Sequence, residues 1–347
     1  MKIVIDNKIP FIRERMEACS SSGGEEKTEV VYADPAVFSR ELVKDADALV
    51  VRTRTTCDSR LLEESGVKLV VTATIGTDHI DLPWCAANGI EVRNAAGCNA
   101  PGVAQYVWSS LLRLGFDISG HRLGLVGYGH VGSIVAEWGR RMGAEVLVCD
   151  PPREIEGMTD NDYRPLRDIL ENCDAVTLHT PLTRDGHFPT FHMIGETELG
   201  MMRQGAVLVN SSRGPVVDNE AWAEWLANGK GKAVVDVWEG EPEINRRLLS
   251  LSSVATPHIA GYSFEGKQRA TRMALEALEE CLGLKIPKEG LCGDYLSPHD
   301  LDADSASEIT ASYDPFSDDR KLRDNPSDFE KLRSDYAYRH EPFIFKN

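Results

Sequence analysis

The sequence of 347 residues has little positive charge for its length and is strongly acidic. It contains 38 Lys and Arg residues against 55 Asp and Glu residues, which gives a formal net charge of −17 at pH 7. A chain with this charge repels phosphate backbones and anionic lipid head groups. We therefore expect neither nucleic acid nor a membrane surface among its partners.

Long apolar runs and closely spaced cysteines are also missing. No segment approaches the roughly 18 consecutive apolar residues that a transmembrane helix needs. Asp6 interrupts the first apolar run, where a signal peptide has an uninterrupted apolar core. The eight cysteines include no Cys-x-x-Cys pair and no Cys/His ladder with the spacing of a zinc site. We predict a cytoplasmic protein with reduced thiols and no structural metal.

With 42% hydrophobic residues the chain can bury a full core, and its length allows two or three domains. Segments of helical period alternate with short apolar runs rich in β-branched residues, a pattern typical of parallel sheets faced by helices. We predict an α/β protein with two Rossmann-like, doubly wound parallel-sheet domains. The predicted strands cover residues 2–5, 48–51, 68–72, 90–93, 123–126, 146–149, 175–179, 207–210, 233–237 and 253–256.

Two loops interrupt the strand and helix alternation, at residues 96–101 and 260–262, and each is followed by a helical pattern. They predict a first domain of residues 1–98 completed by 264–285, with a second domain, 99–263, inserted between its parts. Residues 286–347 form a separate acidic segment. Within it, residues 294–335 carry twelve acidic side chains against five basic ones. This segment fits two interpretations equally, an acidic and partly ordered tail or a small interaction domain that packs on a partner subunit.

A glycine-rich loop directly follows the predicted strand 123–126. Gly127 permits a tight turn, Gly129 lets backbone N–H groups approach a pyrophosphate, and Gly132 allows close packing of the next helix on the strand. This pattern in this context is typical of dinucleotide-binding sites. It assigns nucleotide binding to residues 99–263 and leaves substrate binding to the first domain.

Asp150 ends the next predicted strand, where a carboxylate can bind the adenosine ribose hydroxyls. Because a carboxylate there repels a 2′-phosphate, NAD is favoured over NADP as the cofactor. Arg153, three residues later, leaves NADP open, since an arginine can pair with that phosphate.

Three further residues follow successive strands of the same domain, at the sheet edge where open parallel sheets bind ligands. Arg213 offers a planar guanidinium group for a carboxylate or a polarised carbonyl. His258 can exchange a proton with an alcohol or a carbonyl, and a carboxylate such as Glu241 can orient its ring. Each residue alone is more often structural, but together, behind a dinucleotide loop, they predict a dehydrogenase site.

Five motifs, at residues 73–81, 127–132, 210–214, 236–242 and 256–261, resemble those of the D-2-hydroxyacid dehydrogenases in the same order. This similarity covers about residues 1–285. It implies two Rossmann-like domains, NAD as the cofactor, and Arg213, Glu241 and His258 as the catalytic residues, with Glu241 and not Glu239 as the acid. The implied cofactor-binding residues are Gly127, Gly129, His130, Val131, Gly132, Asp150, Thr180, Ser211, Ser212, Arg213, Asp236 and Gly261.

Within that family, four strings (97–100, 149–153, 236–242 and 258–267) are similar to a member that oxidises a 4-phosphorylated D-2-hydroxy acid. The similarity implies a homodimer that pairs through the C-terminal segment, although that segment is short and acidic here. It also implies the substrate-binding residues Thr53, Thr74, Ile75, Gly76 and Tyr262.

The phosphate of such a substrate needs a cation, and the candidates by charge and loop position alone are Arg52, Arg54 and Lys267. These residues fit solvated surface bases equally well. Two other functions stay open. One is oxidation of 3-phosphoglycerate or of an unphosphorylated hydroxy acid by the same residues. The other is an NAD-sensing binding protein without turnover.

Overall fold

The computed structural model describes residues 1–21, 28–295, 301–302 and 304–343. It divides into two compact units. The first unit holds residues 1–99 and 264–295, and the second holds residues 100–263 together with the described residues after 300. The acidic C-terminal segment is thus divided: its residues 286–295 belong to the first unit, and its described residues after 300 belong to the second.

Eleven strands run through the described residues, each four or five residues long except the last. They are β1 (Lys2–Asp6), β2 (Glu29–Ala33), β3 (Ala48–Val51), β4 (Leu69–Thr72), β5 (Glu91–Asn94), β6 (Arg122–Val126), β7 (Glu145–Cys149), β8 (Ala175–Leu178), β9 (Val207–Asn210), β10 (Lys232–Val235) and β11 (Val254–Ala255).

Helices connect these strands and form the C-terminal segment. They are α1 (Ile12–Ser21), α2 (Arg40–Val43), α3 (Ser59–Leu62), α4 (Leu82–Ala87), α5 (Ala100–Arg113), α6 (His130–Met142), α7 (Pro151–Ile155), α8 (Leu166–Asn172), α9 (Glu196–Met201), α10 (Asn219–Ala227), α11 (Arg246–Leu251), α12 (Phe264–Leu282), α13 (Ser305–Ser312), α14 (Pro315–Asp324) and α15 (Phe329–Ser334). No helix of the described residues is long and apolar enough to cross a bilayer.

The first unit is built on one parallel sheet with strand order β2-β1-β3-β4-β5. Strands β3 and β4 are buried at every position, as expected for a sheet covered on both faces. Apolar residues of α12, such as Leu275 and Leu278, join the core beside β1 and β4. The return of the chain after residue 263 therefore completes this unit.

The second unit holds a six-stranded parallel sheet with strand order β11-β10-β9-β8-β6-β7. The first strand in sequence, β6, lies between β7 and β8, so the chain runs outward from it in both directions. In open α/β sheets, ligands bind at the carboxyl ends of the strands where the order reverses in this way. This strand order therefore predicts a binding crevice outside the ends of β6 and β8.

All ten predicted strands are present, within two residues at either end. The sequence prediction missed β2, because it follows a polar run and is an edge strand in which only Ala33 is buried. The predicted α/β class with two doubly wound parallel sheets is confirmed.

The described part of the C-terminal segment contains the helices α13, α14 and α15, and both interpretations of this segment stay predictions. Its apolar residues are few but buried, as Ile309, Leu322 and Phe329 show. Helix α13 covers the side of α5 that carries Ser109, whose hydroxyl donates to the carbonyl of Ile309. Helix α14 covers the free edge of β11, where an Asp319 carboxylate oxygen accepts the N–H of Ala255 at 2.7 Å.

Candidate active site

Arg213, Glu241 and His258 follow the carboxyl ends of three neighbouring strands, β9, β10 and β11. Because parallel strands end at one edge of the sheet, this order brings the three loops side by side. Gly214 shows how closely they approach, since a Cβ atom at this position would lie 2.0 Å from the carbonyl oxygen of Trp238. The residue after Arg213 must therefore be glycine for its turn to lie against the loop that carries Glu241.

The side chains of His258 and Glu241 form a hydrogen-bonded pair, with Nδ1 of the histidine 2.8 Å from Oε2 of the glutamate. A carboxylate only accepts hydrogen bonds, so Nδ1 carries the proton and Nε2 is left for a ligand. The other carboxylate oxygen of Glu241 accepts the N–H of Trp238 at 2.8 Å. The imidazole ring is thus held in one orientation and one tautomer.

Opposing effects act on the pKa of Glu241. Burial alone would raise the pKa of this carboxyl, but the hydrogen bonds from His258 and from the Trp238 N–H, with the nearby charge of Arg333, hold it below its usual value. Glu241 therefore stays ionised beside the histidine. Glu239 has other partners, since its carboxylate lies 2.7 Å from Nε2 of His192 and accepts the N–H of Asn219.

The loop of His258 is anchored to Asp236, which is almost fully buried. Its carboxylate accepts the hydroxyl of Thr256 at 2.7 Å and the N–H groups of Ile259 and Ala260 at 2.8 and 3.0 Å. Burial raises the pKa of Asp236, and these hydrogen bonds act against that rise. The contact of Asp236 with NAD stays a prediction.

The glycine-rich loop lies between β6 and α6 with the backbone geometry that a dinucleotide needs. Gly127 has a φ of +93°. A Cβ atom at Gly132 would lie 2.1 Å from the carbonyl oxygen of Gly127, so only glycine lets α6 start this close to the strand. Nothing lies within 4 Å of the Cβ position at Gly129, which leaves open space beside the first N–H groups of α6. His130 and Val131 form the first turn of that helix.

Asp150 follows β7 and stands beside this loop, where its carboxylate accepts the N–H of Tyr128 at 2.7 Å. Arg153 is turned to other partners, since its guanidinium donates to Asp160 at 2.7 Å and to the hydroxyl of Tyr163 at 3.1 Å. The arginine that left NADP open is therefore already paired. The carboxylate of Asp150, with Arg153 paired to other residues, favours NAD over NADP.

Two hydroxyl groups near this crevice suit a bound dinucleotide. Thr180 follows β8 and Ser211 follows β9, and the Oγ atom of each is buried without a hydrogen-bond partner. Buried hydroxyls are normally satisfied, so both are available to a ligand atom, and their contacts with NAD stay predictions. Ser212 and Gly261 lie in the Arg213 and His258 loops, and their cofactor contacts stay predictions. No cluster of metal-ligating side chains occurs in the described ranges.

The predicted substrate residues Thr53, Thr74, Ile75 and Gly76 belong to the first unit. Thr74 follows β4, and its hydroxyl lies 2.6 Å from that of Thr72 and donates to the carbonyl of Gly76 at 3.3 Å. The Ile75 carbonyl accepts the amide of Asn94 at 2.7 Å. These bonds shape a turn after β4, and Thr53 is exposed in the loop after β3. Their contact with substrate stays a prediction.

Of the three cations considered for the substrate phosphate, Arg52 is committed to another partner. Its guanidinium pairs with the buried carboxylate of Asp6, with Nε 2.9 Å from an oxygen.

Arg333 of α15 is a site residue that sequence reasoning missed. Its Nη1 lies 4.0 Å from the Glu241 carboxylate, and its Nε donates to the hydroxyl of Tyr262 at 3.3 Å. Nothing in the acidic segment marks this arginine, because its partners lie more than 70 residues away in sequence.

The family model for "D-isomer specific 2-hydroxyacid dehydrogenase, NAD binding domain" matches residues 93–260. An erythronate-4-phosphate dehydrogenase of Bacteroides fragilis is 43% identical over 100% of this chain and 99% of its own length. One of Pseudomonas putida is 45% identical over 86% of this chain and 84% of its own length.

Among solved structures, the NAD+-bound 3-phosphoglycerate dehydrogenase of Entamoeba histolytica superposes with a TM-score of 0.66. It is 24% identical and covers 85% of this chain and 99% of its own chain. This likeness supports the fold.

Proposed function

Because the chain belongs to the D-isomer specific 2-hydroxyacid dehydrogenase family, and within it to the erythronate-4-phosphate dehydrogenases, we propose that it oxidises 4-phospho-D-erythronate to 2-oxo-3-hydroxy-4-phosphobutanoate. This reaction belongs to the biosynthesis of pyridoxal 5′-phosphate. The observation that carries the proposal is the His258–Glu241 pair, which lies beside the Arg213 turn at one sheet edge.

NAD is the cofactor, and when bound it supplies the acceptor for the hydride that leaves C2 of the substrate. The glycine-rich loop would hold its pyrophosphate and Asp150 its adenosine ribose. Thr180 and Ser211, with their unpartnered hydroxyls, are the further contacts that the residues of this chain offer.

His258 acts as the base. Its Nε2 takes the proton of the C2 hydroxyl as the hydride leaves the same carbon, so that the alcohol loses two electrons and two hydrogens and becomes a ketone. Glu241 holds Nδ1 and stabilises the imidazolium that forms, since it remains a carboxylate. The proton then passes from His258 to solvent.

Arg213 binds the substrate carboxylate and the oxygen that becomes the C2 carbonyl, because its planar group can bind two oxygens at once. We assign the second contact of the carboxylate to the Ile75-Gly76 turn, and further substrate contacts to Thr53, Thr74 and Tyr262. For the phosphate we propose Arg54 and Lys267 by their charge and loop position; Arg52 already pairs with Asp6.

We also propose a cytoplasmic homodimer. No two of the eight cysteines form a disulfide, which supports a reducing compartment. The described C-terminal segment carries helices that a partner could pack against. Light scattering of the purified protein gives its mass directly, and a mass of one chain at micromolar concentration would contradict the dimer.

The function is tested by following NADH formation with 4-phospho-D-erythronate, 3-phosphoglycerate and D-glycerate in parallel. We expect the highest kcat/KM with 4-phospho-D-erythronate, and no turnover in His258→Ala while NAD still binds. A preference for 3-phosphoglycerate would shift the substrate assignment. Binding of NAD without turnover of any of the three acids would favour the sensor function.

A further inference from the structure

The catalytic histidine has a backbone conformation that L-residues rarely adopt. His258 has a φ of +58°, in the left-handed region where side chains other than glycine are strained. Residues held in this way persist only when surrounding contacts fix them, and they occur preferentially at functional sites. The contacts that fix the loop after His258 therefore help to set the position of its ring.

One side of this loop is fixed by Asp236, which accepts the N–H groups of Ile259 and Ala260. This anchor comes from the family motif at residues 236–242 and lies next to β10. Because a carboxylate only accepts hydrogen bonds, Asp236 binds the N–H groups of Ile259 and Ala260 but cannot bind their carbonyl groups.

The other side is fixed by Arg339, which lies beyond the last helix of the C-terminal segment. Its guanidinium donates to the carbonyl of Ile259 at 3.0 Å, to that of Tyr262 at 3.3 Å, and to that of Ala260. Opposite charges thus hold the same two residues, with the Asp236 carboxylate on their N–H groups and the Arg339 guanidinium on their carbonyl groups.

Arg339 is itself held in place by three further acceptors and an aromatic ring. It donates to the carbonyl of Gly102 at 2.9 Å, to the side-chain oxygen of Gln105 at 2.9 Å, and to the hydroxyl of Tyr336 at 3.3 Å. Its Cζ lies 4.2 Å from the ring centroid of Tyr313. A guanidinium fixed this firmly can act as a rigid support for the loop, because it has little freedom left to lose.

We propose that Arg339 is a positioning residue for His258, so that the C-terminal segment is part of the catalytic machinery whether or not it also pairs subunits. It is not in contact with the reacting atoms. It acts by holding the carbonyl groups of Ile259, Ala260 and Tyr262, which keeps the strained backbone of His258 in place. The catalytic consequence rests on the proposed function, whereas the effect on the loop does not.

The test replaces Arg339 by Ala and by Lys, with Arg113→Ala as the matched control. Arg113 also ties the C-terminal segment to the rest of the second unit, since it donates to the carbonyl of Thr310 at 2.6 Å and pairs with Asp314 at 3.7 Å. These partners lie outside the loop of residues 258–262. Lysine keeps the charge but has a single nitrogen, so it cannot span carbonyls on several sides.

For Arg339→Ala we expect kcat to fall about 10- to 100-fold, the size of loss that a small displacement of a catalytic group causes. The Kd for NAD should stay within about twofold, amide exchange of residues 258–263 should rise, and added guanidinium ion should restore part of kcat. Arg339→Lys should lie between wild type and Arg339→Ala. Arg113→Ala should lower the melting temperature and leave kcat and this exchange unchanged.

An unchanged kcat in folded Arg339→Ala, or equal losses in Arg339→Ala and Arg113→Ala, would overturn the proposal. If Arg339→Ala does not fold, the comparison is made with Arg339→Lys under the same criteria. If the wild type does not oxidise 4-phospho-D-erythronate, the proposed function fails. The amide exchange of residues 258–263 then still decides whether Arg339 holds the loop, and unchanged exchange overturns the inference.

Discussion

The two halves of the crevice in the second unit are built by different means. The cofactor half, after β6, β7 and β8, is shaped by backbone geometry within a few consecutive residues, such as the turn at Gly127. The catalytic half, after β9, β10 and β11, depends on side chains from distant parts of the chain, including Arg333 and Arg339. The glycine-rich part of the cofactor site is therefore local in sequence, whereas the catalytic half also depends on contacts from the C-terminal segment.

The variant His258→Asn should affect the catalytic half alone, because it removes the base and leaves the glycine-rich loop of the cofactor half intact. We expect kcat to fall by about 10²- to 10⁴-fold, the usual contribution of a general base. The Kd for NAD, measured by fluorescence titration, should stay the same. A parallel loss of NAD affinity would show that the two halves are not independent.

The variant Gly132→Ala changes the cofactor half instead, since the new Cβ atom would lie 2.1 Å from the carbonyl oxygen of Gly127. Relieving such a clash costs about 1–3 kcal/mol, and it should both destabilise the apo protein and weaken NAD binding. Gly129→Ala is the matched control, because its Cβ meets nothing within 4 Å. It should keep the melting temperature of the apo protein and still weaken NAD binding. Equal melting temperatures for the two variants would contradict this account.

The variant Asp150→Ser tests whether the cofactor half prefers NAD to NADP. We expect the ratio of kcat/KM for NAD to that for NADP to fall by about tenfold, as one charged hydrogen bond to the ribose is lost and a repulsive charge is removed. Arg153→Ala should leave this ratio unchanged, because Arg153 is paired with Asp160 and Tyr163. A change of the ratio in Arg153→Ala would mean that this arginine reaches the cofactor.

Arg333→Gln should have the smallest effect, visible mainly in the pH dependence. Arg333 helps to hold the pKa of Glu241 below its usual value, so without it that pKa rises. Glu241 is then protonated at a higher pH as the solution is acidified, and the acid limb of kcat/KM moves to higher pH. Near neutral pH the loss should be only a few-fold, about 1 kcal/mol for a partly exposed pair. An acid limb that does not move, or moves equally in Arg333→Lys, would contradict the electrostatic role.

The same contrast explains what the sequence predicted. Glycine spacing, strand patterns and the order of the motifs are local, so ten of the eleven strands in the described residues and the glycine-rich loop could be located from the amino-acid sequence alone. The same patterns gave the three candidate catalytic residues, whose roles stay predictions. Edge strand β2 has too few buried residues to stand out. The helices α13–α15 bury only scattered apolar residues, such as Leu322, among many acidic ones. Their apolar pattern is therefore too sparse to predict helices from the sequence.

Arg333 and Arg339 were missed for a different reason. A cation that donates to backbone carbonyls needs no particular partner residue, so Arg339 and its partners Ile259 and Ala260 leave no pattern in the sequence. Only the fold brings them together. The pair His258 and Glu241, by contrast, combines two residue types whose chemistry already suggests a shared role.

The most direct test of the central claim uses substrate labelled with deuterium at C2, with a hydrazine present to trap the 2-oxo acid. Wild-type protein, NAD and 4-phospho-D-[2-²H]erythronate are combined, and the dinucleotide is examined by mass spectrometry. We predict that the reduced dinucleotide carries the deuterium, and that His258→Asn forms almost none of it while binding NAD normally. Reduced dinucleotide without deuterium, or equal deuterium transfer in His258→Asn, would contradict the account.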